Sequence, residues 1–280
     1  MPFGGQNCTV AVMSEQILEL RAVSKRFMSR NGEEVLALDA VSFDVRRGEF
    51  FVIIGPSGSG KTSLLDLIAG FERPTEGFVL ANGKPIEKPG WQRAVVFQEH
   101  GLFPWLTVAK NIEFGLKMKR VSANERAEMV ANYVQMIGLS GFENKYPREL
   151  SGGMKQRVGI ARALAVQSEL IVMDEPFGAL DPQTRTEMQD ELLRIWAQDR
   201  RTIVLVTHSI EEALKLGDRI AVMSPRPGRL RKLFRIDRPR PRSVLDDPEL
   251  LNLNIELHAM LFESSLRKPM KQAKVARNVG

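Results

Sequence analysis

The chain has 280 residues, of which 43% are hydrophobic and 26% charged, and this length can bury a substantial core in one large domain or in two lobes. The formal net charge is +6 at pH 7. The longest uninterrupted apolar stretches, such as 50–54 and 170–173, are too short to cross a bilayer. The single cysteine, Cys8, excludes an intrachain disulfide and fits a reducing compartment.

The chain is predicted to begin with a flexible extension, followed by short alternating strands. We expect residues 1–14 to form the extension, because Met13 is followed by an ordinary polar start. The first dozen residues lack the basic start and apolar core of a secretory signal. The alternating strands are predicted at 17–27, 41–47 and 77–86. Asn82 followed by Gly83 favours a hairpin turn within the last of these.

Buried strands are predicted further along the chain, and helical segments separate several of them. Their apolar runs cover 50–54, 93–97, 170–174, 202–207 and 219–223. This alternation predicts a mostly parallel sheet that is covered on both faces.

The stretch from about 105 to 150 is predicted to be helical and free of strands. Ser122 and Glu125 form a capping-box pattern at the start of one helix. Further helices are expected to start at 181–182, 209 and 247–248. The expected fold is therefore α/β, with a helical insertion between the second and third core strands.

The C-terminal part of the chain is basic. Between Pro225 and Arg242 there are eight Lys or Arg residues against one acid, and we interpret this Pro- and Arg-rich stretch as a linker before a helix at 248–266. A second basic cluster covers 267–277. We interpret these charges as a solvated tail, with contact to an anionic membrane surface or an acidic partner as the alternative. No nucleic-acid-reading motif is present, so nucleic-acid binding is not expected.

A glycine-rich loop follows the apolar run 50–54 and precedes a helix. Its sequence matches G-x-x-x-x-G-K-[ST], and its residues are Gly55, Pro56, Ser57, Gly58, Ser59, Gly60, Lys61, Thr62 and Ser63. Glycines let backbone N–H groups turn toward a polyphosphate, and the helix directs its positive dipole end at the same anion. Lys61 can then reach the β- and γ-phosphates, and the Thr62 hydroxyl can ligate Mg²⁺. The pattern predicts a nucleoside triphosphate site.

Two carboxylates follow the buried strand 170–173. Such a position lies at the crevice where parallel sheets bind ligands. Asp174 is placed to hold Mg²⁺ through water, and Glu175 is placed to polarise the attacking water. The alternative is an acidic pair that only caps the strand.

A second anion-binding helix start is predicted at Ser151, Gly152 and Gly153, where several backbone N–H donors are exposed. One polypeptide has little use for two phosphate cradles unless they face each other across a dimer.

The order of these motifs resembles that of the ATP-binding subunit of an ABC transporter, over about residues 17–235. The motifs are GPSGSGKT, then Gln98, LSGGMKQ, LIVMDE, the triplet ending in Asp181, and His208. The resemblance implies a P-loop NTPase core with a mostly parallel sheet, an antiparallel β subdomain and a helical subdomain carrying the signature. It also implies a head-to-tail homodimer, in which each ATP lies between one subunit's phosphate loop and the other's signature.

The same resemblance implies roles for four further residues, of which Gln98 and Asp181 have no chemical signature of their own. Gln98 would contact Mg²⁺, Asp181 would act across the dimer, and His208 would contact the γ-phosphate. Phe27 would stack on adenine, since phenylalanine keeps the aromatic face that many relatives provide with tyrosine. For His208 and Phe27, simple packing is the alternative.

The segment Leu-Phe-Pro-Trp-Leu-Thr at 102–107, together with 224–229, resembles importer subunits for nitrate, aliphatic sulfonates and taurine. This implies uptake of a small solute through a partner permease, indirectly with a solute-binding protein, at the cytoplasmic face of the inner membrane. The apolar residues Leu102, Phe103, Trp105 and Leu106 would form a groove for a permease helix, or else part of the core. A soluble ATPase of the same superfamily, not tied to transport, is the main alternative function. A P-loop kinase and a nucleotide sensor with incidental turnover are the other two.

The expected domain organisation follows. The ATPase domain would cover 15–235, with a helical subdomain at about 100–165. Residues 236–280 would provide the basic linker, a short helix and a frayed tail.

Overall fold

The computed structural model describes residues 15–29, 31–98 and 101–266. The proposed extension at 1–14, with Cys8, and the basic cluster at 267–277 lie outside them. No helix among the described residues is both long and apolar enough to cross a membrane.

One layer of the fold is an antiparallel sheet with the order β2-β1-β4-β5. Its strands are β1 (Gln16–Met28), β2 (Glu34–Arg46), β4 (Glu76–Ala81) and β5 (Lys84–Pro85). Asn82 and Gly83 join β4 to β5 with φ values of 51° and 72°. Both residues are in the left-handed region that a type I′ turn requires, so the predicted hairpin is confirmed.

The central layer is a six-stranded sheet with the order β10-β9-β3-β8-β7-β6. Its strands are β3 (Phe50–Ile54), β6 (Arg93–Val96), β7 (Leu170–Asp174), β8 (Thr202–Thr207), β9 (Arg219–Met223) and β10 (Leu230–Arg235). All neighbours pair in parallel except β10, which is antiparallel to β9. Every residue of β3, β7 and β8 is buried, as expected for strands covered on both faces.

The two faces of the central sheet pack against different layers. Phe50, Val52 and Ile54 of β3 face a core formed with the helical insertion and the later helices. Phe51 and Ile53 face the other way, toward α1 (Lys61–Ala69) and the antiparallel sheet. The alternation follows from the two-residue period of a strand.

The helices begin where capping residues predict them. The helical insertion follows the second core strand in the chain and contains α2 (Val108–Met118), α3 (Ala123–Met136) and α4 (Gly152–Ala165). The later helices are α5 (Pro182–Asp199), α6 (Ile210–Leu216) and α7 (Pro248–Leu266). The side chains of Ser122, Asp181 and Ser209 each accept a hydrogen bond from the backbone N–H three residues on. These bonds satisfy donors that a helix start leaves free.

The interpretation of 225–242 as a linker is wrong for its central part. Residues 230–235 form the edge strand β10, in which Phe234 is buried while Arg231 and Arg235 stay exposed. An edge strand tolerates cationic side chains at its exposed positions. The hydrophobic alternation that identifies a strand is therefore weak in this sequence. Arg242 is half-buried rather than fully solvated, and its guanidinium donates to the Leu214 carbonyl at 2.9 Å.

Candidate active site

The predicted phosphate loop lines an open pocket of about 560 Å³ at the carboxyl ends of the central strands. The lining residues are Phe27, Ala37, Ser57, Gly58, Gly60, Lys61, Thr62, Ser63, Gln98, Glu175, His208 and Arg226. A larger groove of about 700 Å³, beside the β4–β5 hairpin, holds none of the predicted site residues. The pocket therefore brings together parts of the chain from residue 27 to residue 226.

The phosphate loop leads from the central strand β3 directly into α1. Gly58 and Gly60 both have a φ of 79°, a backbone conformation that favours glycine. A Cβ on Gly60 would also lie only 2.7 Å from a methyl carbon of Leu38. The loop can therefore present backbone N–H groups to an anion only with glycine at this position.

Lys61 is folded back onto the loop. Its ammonium donates to the carbonyl oxygens of Gly55 at 2.7 Å and of Pro56 at 3.1 Å. Burial lowers the pKa of Lys61, while the nearby carboxylates of Glu175 and Asp174 act in the opposite direction. These two hydrogen bonds hold the Lys61 ammonium against the phosphate loop.

Asp174 ends β7 next to the start of α1. The Thr62 hydroxyl lies 3.3 Å from a carboxylate oxygen of Asp174. Burial raises the pKa of Asp174, and the hydrogen bond with Thr62 partly opposes this rise. Together with the Gln98 amide, these are oxygen donors of the kind that Mg²⁺ prefers. Among the described residues no group of three or more His, Cys, Asp or Glu side chains could hold a metal ion.

Glu175 and His208 meet at the pocket, with 3.1 Å between Nδ1 of the histidine and Oε1 of the carboxylate. Glu175 has a φ of 44°, which is uncommon for a residue with a side chain. Its N–H donates to the Val206 carbonyl at 2.9 Å, so the strand next to it fixes this turn. Such conformations are concentrated at functional sites.

Behind His208 lies a buried polar pair that the sequence reasoning missed. The Thr207 hydroxyl donates to the Glu212 carboxylate at 2.6 Å and accepts from the Ser209 N–H at 3.1 Å. Burial raises the pKa of Glu212, although the Thr207 hydrogen bond acts against this. The pair holds the backbone on both sides of His208. The polar residues at 207 and 212 around the predicted helix start were the signal that could have revealed it.

Phe27 stands at the edge of the pocket, with 36% of its surface exposed. The Lys25 ammonium lies 5.0 Å from the centre of the Phe27 ring, and it also bonds the Glu72 carboxylate at 2.8 Å. The ring is therefore accessible for stacking and fixed in orientation by its neighbours.

The signature residues lie outside this pocket. Ser151 caps α4, its hydroxyl accepting from the Met154 N–H at 3.3 Å, and neither it nor Gly152 or Gly153 lines the pocket. Asp181 caps α5 and is also absent from the lining, and its hydrogen bonds with Thr184 lower its pKa.

The signature helix and the Asp181 turn nevertheless lie side by side. A Cβ on Gly153 would come within 3.3 Å of a methyl carbon of Leu180, the residue before Asp181. The predicted site residues thus fall into two groups. One lines the pocket or, like Asp174, lies next to a lining residue, and the other forms a separate surface at the start of α4.

These features define a nucleoside triphosphatase of the P-loop class, and comparison with known proteins identifies the family. Residues 38–178 match the family model described as ABC transporter, and the chain belongs to this family. It is 50% identical over 210 residues to the taurine import ATP-binding protein TauB of Pelagibacter ubique, covering 75% of this chain and 79% of that protein. It is 41% identical over 252 residues to the nitrate import ATP-binding protein NrtD of Synechocystis sp., covering 87% and 94%.

A solved structure of similar fold also supports the ABC family. A dimeric ATP-binding cassette in a post-hydrolysis state, bound to ADP and Pi, superimposes with a TM-score of 0.71 at 33% identity, over 79% of this chain and 100% of that chain. The chain is an ABC ATP-binding subunit, which binds and hydrolyses ATP. The predicted family, α/β fold class and ATPase activity are confirmed.

Proposed function

We propose that this chain, as a homodimer, powers the import of a small solute of the nitrate, sulfonate or taurine type through a partner permease. The observation that carries the proposal is the division of the site into two groups, since the pocket holds the phosphate loop but not the signature. A second copy would supply the missing donors. The taurine and nitrate import relatives support the solute class. The dimer would lie on the cytoplasmic face of the inner membrane and receive the solute indirectly from a solute-binding protein.

ATP hydrolysis is assigned to residues of the pocket. Loop N–H groups and Lys61 hold the β- and γ-phosphates, and the Phe27 ring stacks on adenine. Glu175 polarises the attacking water, while His208 orients the Glu175 carboxylate from 3.1 Å and contacts the γ-phosphate. Mg²⁺, held by oxygens of Thr62, Gln98 and Asp174, would neutralise phosphate charge.

The second subunit closes the site. Ser151, Gly152 and Gly153 would direct the start of α4 at the γ-phosphate bound to the other copy, and Asp181 would act across the same interface. Each triphosphate then gains donors from both subunits, so ATP stabilises the closed dimer. Hydrolysis removes that link and lets the dimer open.

An aromatic surface on the helical insertion is the proposed permease contact. Trp105 is 70% exposed, and its ring lies 5.7 Å from that of Phe103, which in turn lies 4.6 Å from the ring of Phe114. The buried Asn111 amide braces the loop, because it accepts from the Phe103 N–H at 2.9 Å and donates to the Phe103 carbonyl at 3.2 Å. A rigid, exposed aromatic patch suits a short amphipathic helix.

Growth of a strain that lacks this protein tests the proposal. The sole sulfur or nitrogen source would be taurine, a longer alkanesulfonate, nitrate, cyanate or a pyrimidine precursor. We expect a defect on taurine, an alkanesulfonate or nitrate, rescued by the wild-type gene but not by Glu175→Gln, because loss of a general base slows turnover by roughly 10²- to 10⁴-fold. Glu211→Gln, at an exposed carboxylate of α6, is the matched control and should rescue. Normal growth of the deleted strain on taurine, alkanesulfonates and nitrate would contradict the proposed solute class.

A further inference from the structure

The turn between β9 and β10, residues 224–229, contributes to the nucleotide pocket although it lies far along the chain from the phosphate loop. It follows Met223, the last residue of β9, and precedes Leu230. One of its side chains, Arg226, lines the pocket together with Phe27 and Ala37. We refer to residues 224–229 as the β9–β10 turn.

Backbone hydrogen bonds fix the β9–β10 turn to β2. The Gly228 N–H donates to the Ala37 carbonyl at 2.8 Å, and the Asp39 N–H donates to the Gly228 carbonyl at 3.0 Å. The Arg229 guanidinium adds a bond from Nε to the Asp39 carboxylate at 2.8 Å. The turn is therefore held on the strand that pairs with β1, the strand of Phe27.

The turn also packs directly on the phosphate loop. A Cβ on Gly228 would collide with the Ser59 carbonyl oxygen. Only glycine permits this close approach between two backbones. Within the turn, the Ser224 hydroxyl lies 2.9 Å from the Pro227 carbonyl and accepts from the Arg229 N–H at 2.9 Å. The position of Arg226 is thus set by a rigid frame.

Among the residues that the structure describes, none pairs with the Arg226 guanidinium. The side chain is exposed, and it makes no hydrogen bond or ion pair with any residue that the structure describes. By contrast Lys61, the other cationic side chain among the described lining residues, is buried and bonded to two loop carbonyls. Arg226 therefore brings a positive charge without a described partner to a pocket whose substrate carries several negative charges.

We propose that Arg226 binds the nucleotide directly, its guanidinium donating hydrogen bonds to phosphate oxygens from the Phe27 side of the pocket. Guanidinium suits this role because its planar donors match two phosphate oxygens at once, and charge-assisted bonds of this kind are stronger than neutral ones. Arg226 is then a binding residue supplied by the β9–β10 turn, in addition to the phosphate loop. This inference rests on the proposed use of the pocket for ATP.

Calorimetric titration with ADP and with GDP in the presence of Mg²⁺ tests the contact without turnover. We expect Arg226→Gln to weaken binding of both nucleotides about tenfold, since a charged hydrogen bond is lost and the base plays no part. Arg226→Lys keeps the charge but not the planar pair of donors, so its loss should lie between that of the wild type and that of Arg226→Gln, at about threefold to fivefold. The melting temperature of nucleotide-free Arg226→Gln should equal that of the wild type, because Arg226 has no partner among the described residues.

Two further variants separate the possible failures. Arg235→Gln removes an exposed arginine at the far end of β10, outside the pocket, and should bind like the wild type. Lys61→Ala tests the pocket itself: if it binds ADP normally, the proposed nucleotide site fails. If Lys61→Ala loses binding while Arg226→Gln does not, only the present inference is overturned. A loss by Arg226→Gln for ADP alone, or one accompanied by a lower melting temperature, would also overturn it.

Discussion

At the scale of single residues, a buried carboxylate outside the pocket lining contacts the segment that carries His208. Glu212 is buried at the start of α6, and it accepts a hydrogen bond from the Thr207 hydroxyl at 2.6 Å. Thr207 precedes His208, so the carboxylate fixes the backbone that carries the histidine. Glutamine in place of Glu212 would keep an acceptor oxygen for Thr207 without a buried negative charge.

The pH dependence of Glu212→Gln follows from the direction of the pKa shift. Burial raises the pKa of Glu212 in the folded protein above its ordinary value. As the pH rises, the unfolded state therefore releases the Glu212 proton at a lower pH than the folded state does. The contribution of this group to stability is greatest at low pH and is lost as the pH rises through the folded pKa. We expect the variant to melt a few degrees above the wild type at pH 8, and the difference to close toward pH 4.

Melting curves of the nucleotide-free protein across this pH range measure the difference. Glu211→Gln changes the exposed neighbouring carboxylate and should show no such trend. A gap between Glu212→Gln and the wild type that stays constant with pH would contradict the assignment.

At the scale of secondary-structure elements, arginines attach the C-terminal segment to the end of α6. The Arg242 guanidinium donates to the carbonyls of Leu214 at 2.9 Å and of Arg238 at 3.0 Å. The Arg240 guanidinium lies 2.7 Å from the Asp218 carboxylate and 4.5 Å from the ring centre of Trp196. Cations at a helix C-terminus satisfy free carbonyls and complement the dipole.

Arg242→Gln tests this attachment. Burial, with the nearby charge of Arg240, lowers the pKa of Arg242 to about 10. Losing its hydrogen bonds leaves partly buried carbonyls without donors, so we expect the free energy of unfolding to fall by about 2 kcal/mol. Urea unfolding measures the change, with Arg21→Gln as the control because that guanidinium is mostly exposed. Equal stability of the two variants would contradict the conclusion that Arg242 attaches the C-terminal segment to α6.

The predictability of each element depends on whether its signal is local. Asp181 and Ser209 are followed by helices that they cap, so the sequence was sufficient there. The strand β10 was missed because it lies at the edge of the described sheet, paired with β9, and its exposed positions carry Arg and Lys. The approach of Gly228 to Ser59 was also unpredictable, since 169 residues separate them in the chain and only the fold brings their backbones together.

At the scale of the whole molecule, the start of α4 lies outside the pocket of the same chain, and the proposed dimer would bring the two together. Ser151 lies exposed at the start of α4, outside the pocket that holds Lys61 and Glu175. If the proposed dimer is correct, a change at Ser151 should leave ATP binding by the single subunit intact and prevent closure around the nucleotide. A change within the pocket should instead impair binding or turnover in the subunit that carries it.

Nucleotide-dependent dimerisation distinguishes these outcomes. Glu175→Gln should retain ATP, so we expect it to sediment in ATP at twice the monomer mass of 31.5 kDa and as a monomer in ADP, which lacks the γ-phosphate. Adding Ser151→Arg should keep the protein monomeric in ATP with unchanged nucleotide affinity, because the bulky side chain blocks only the partner's phosphates. Ser122→Arg, at the exposed cap of α3, is the matched control and should still dimerise. A dimer in the Ser151→Arg variant would show that the start of α4 does not contact the partner's nucleotide, whereas lost ATP affinity in its monomer would place Ser151 in its own subunit's site.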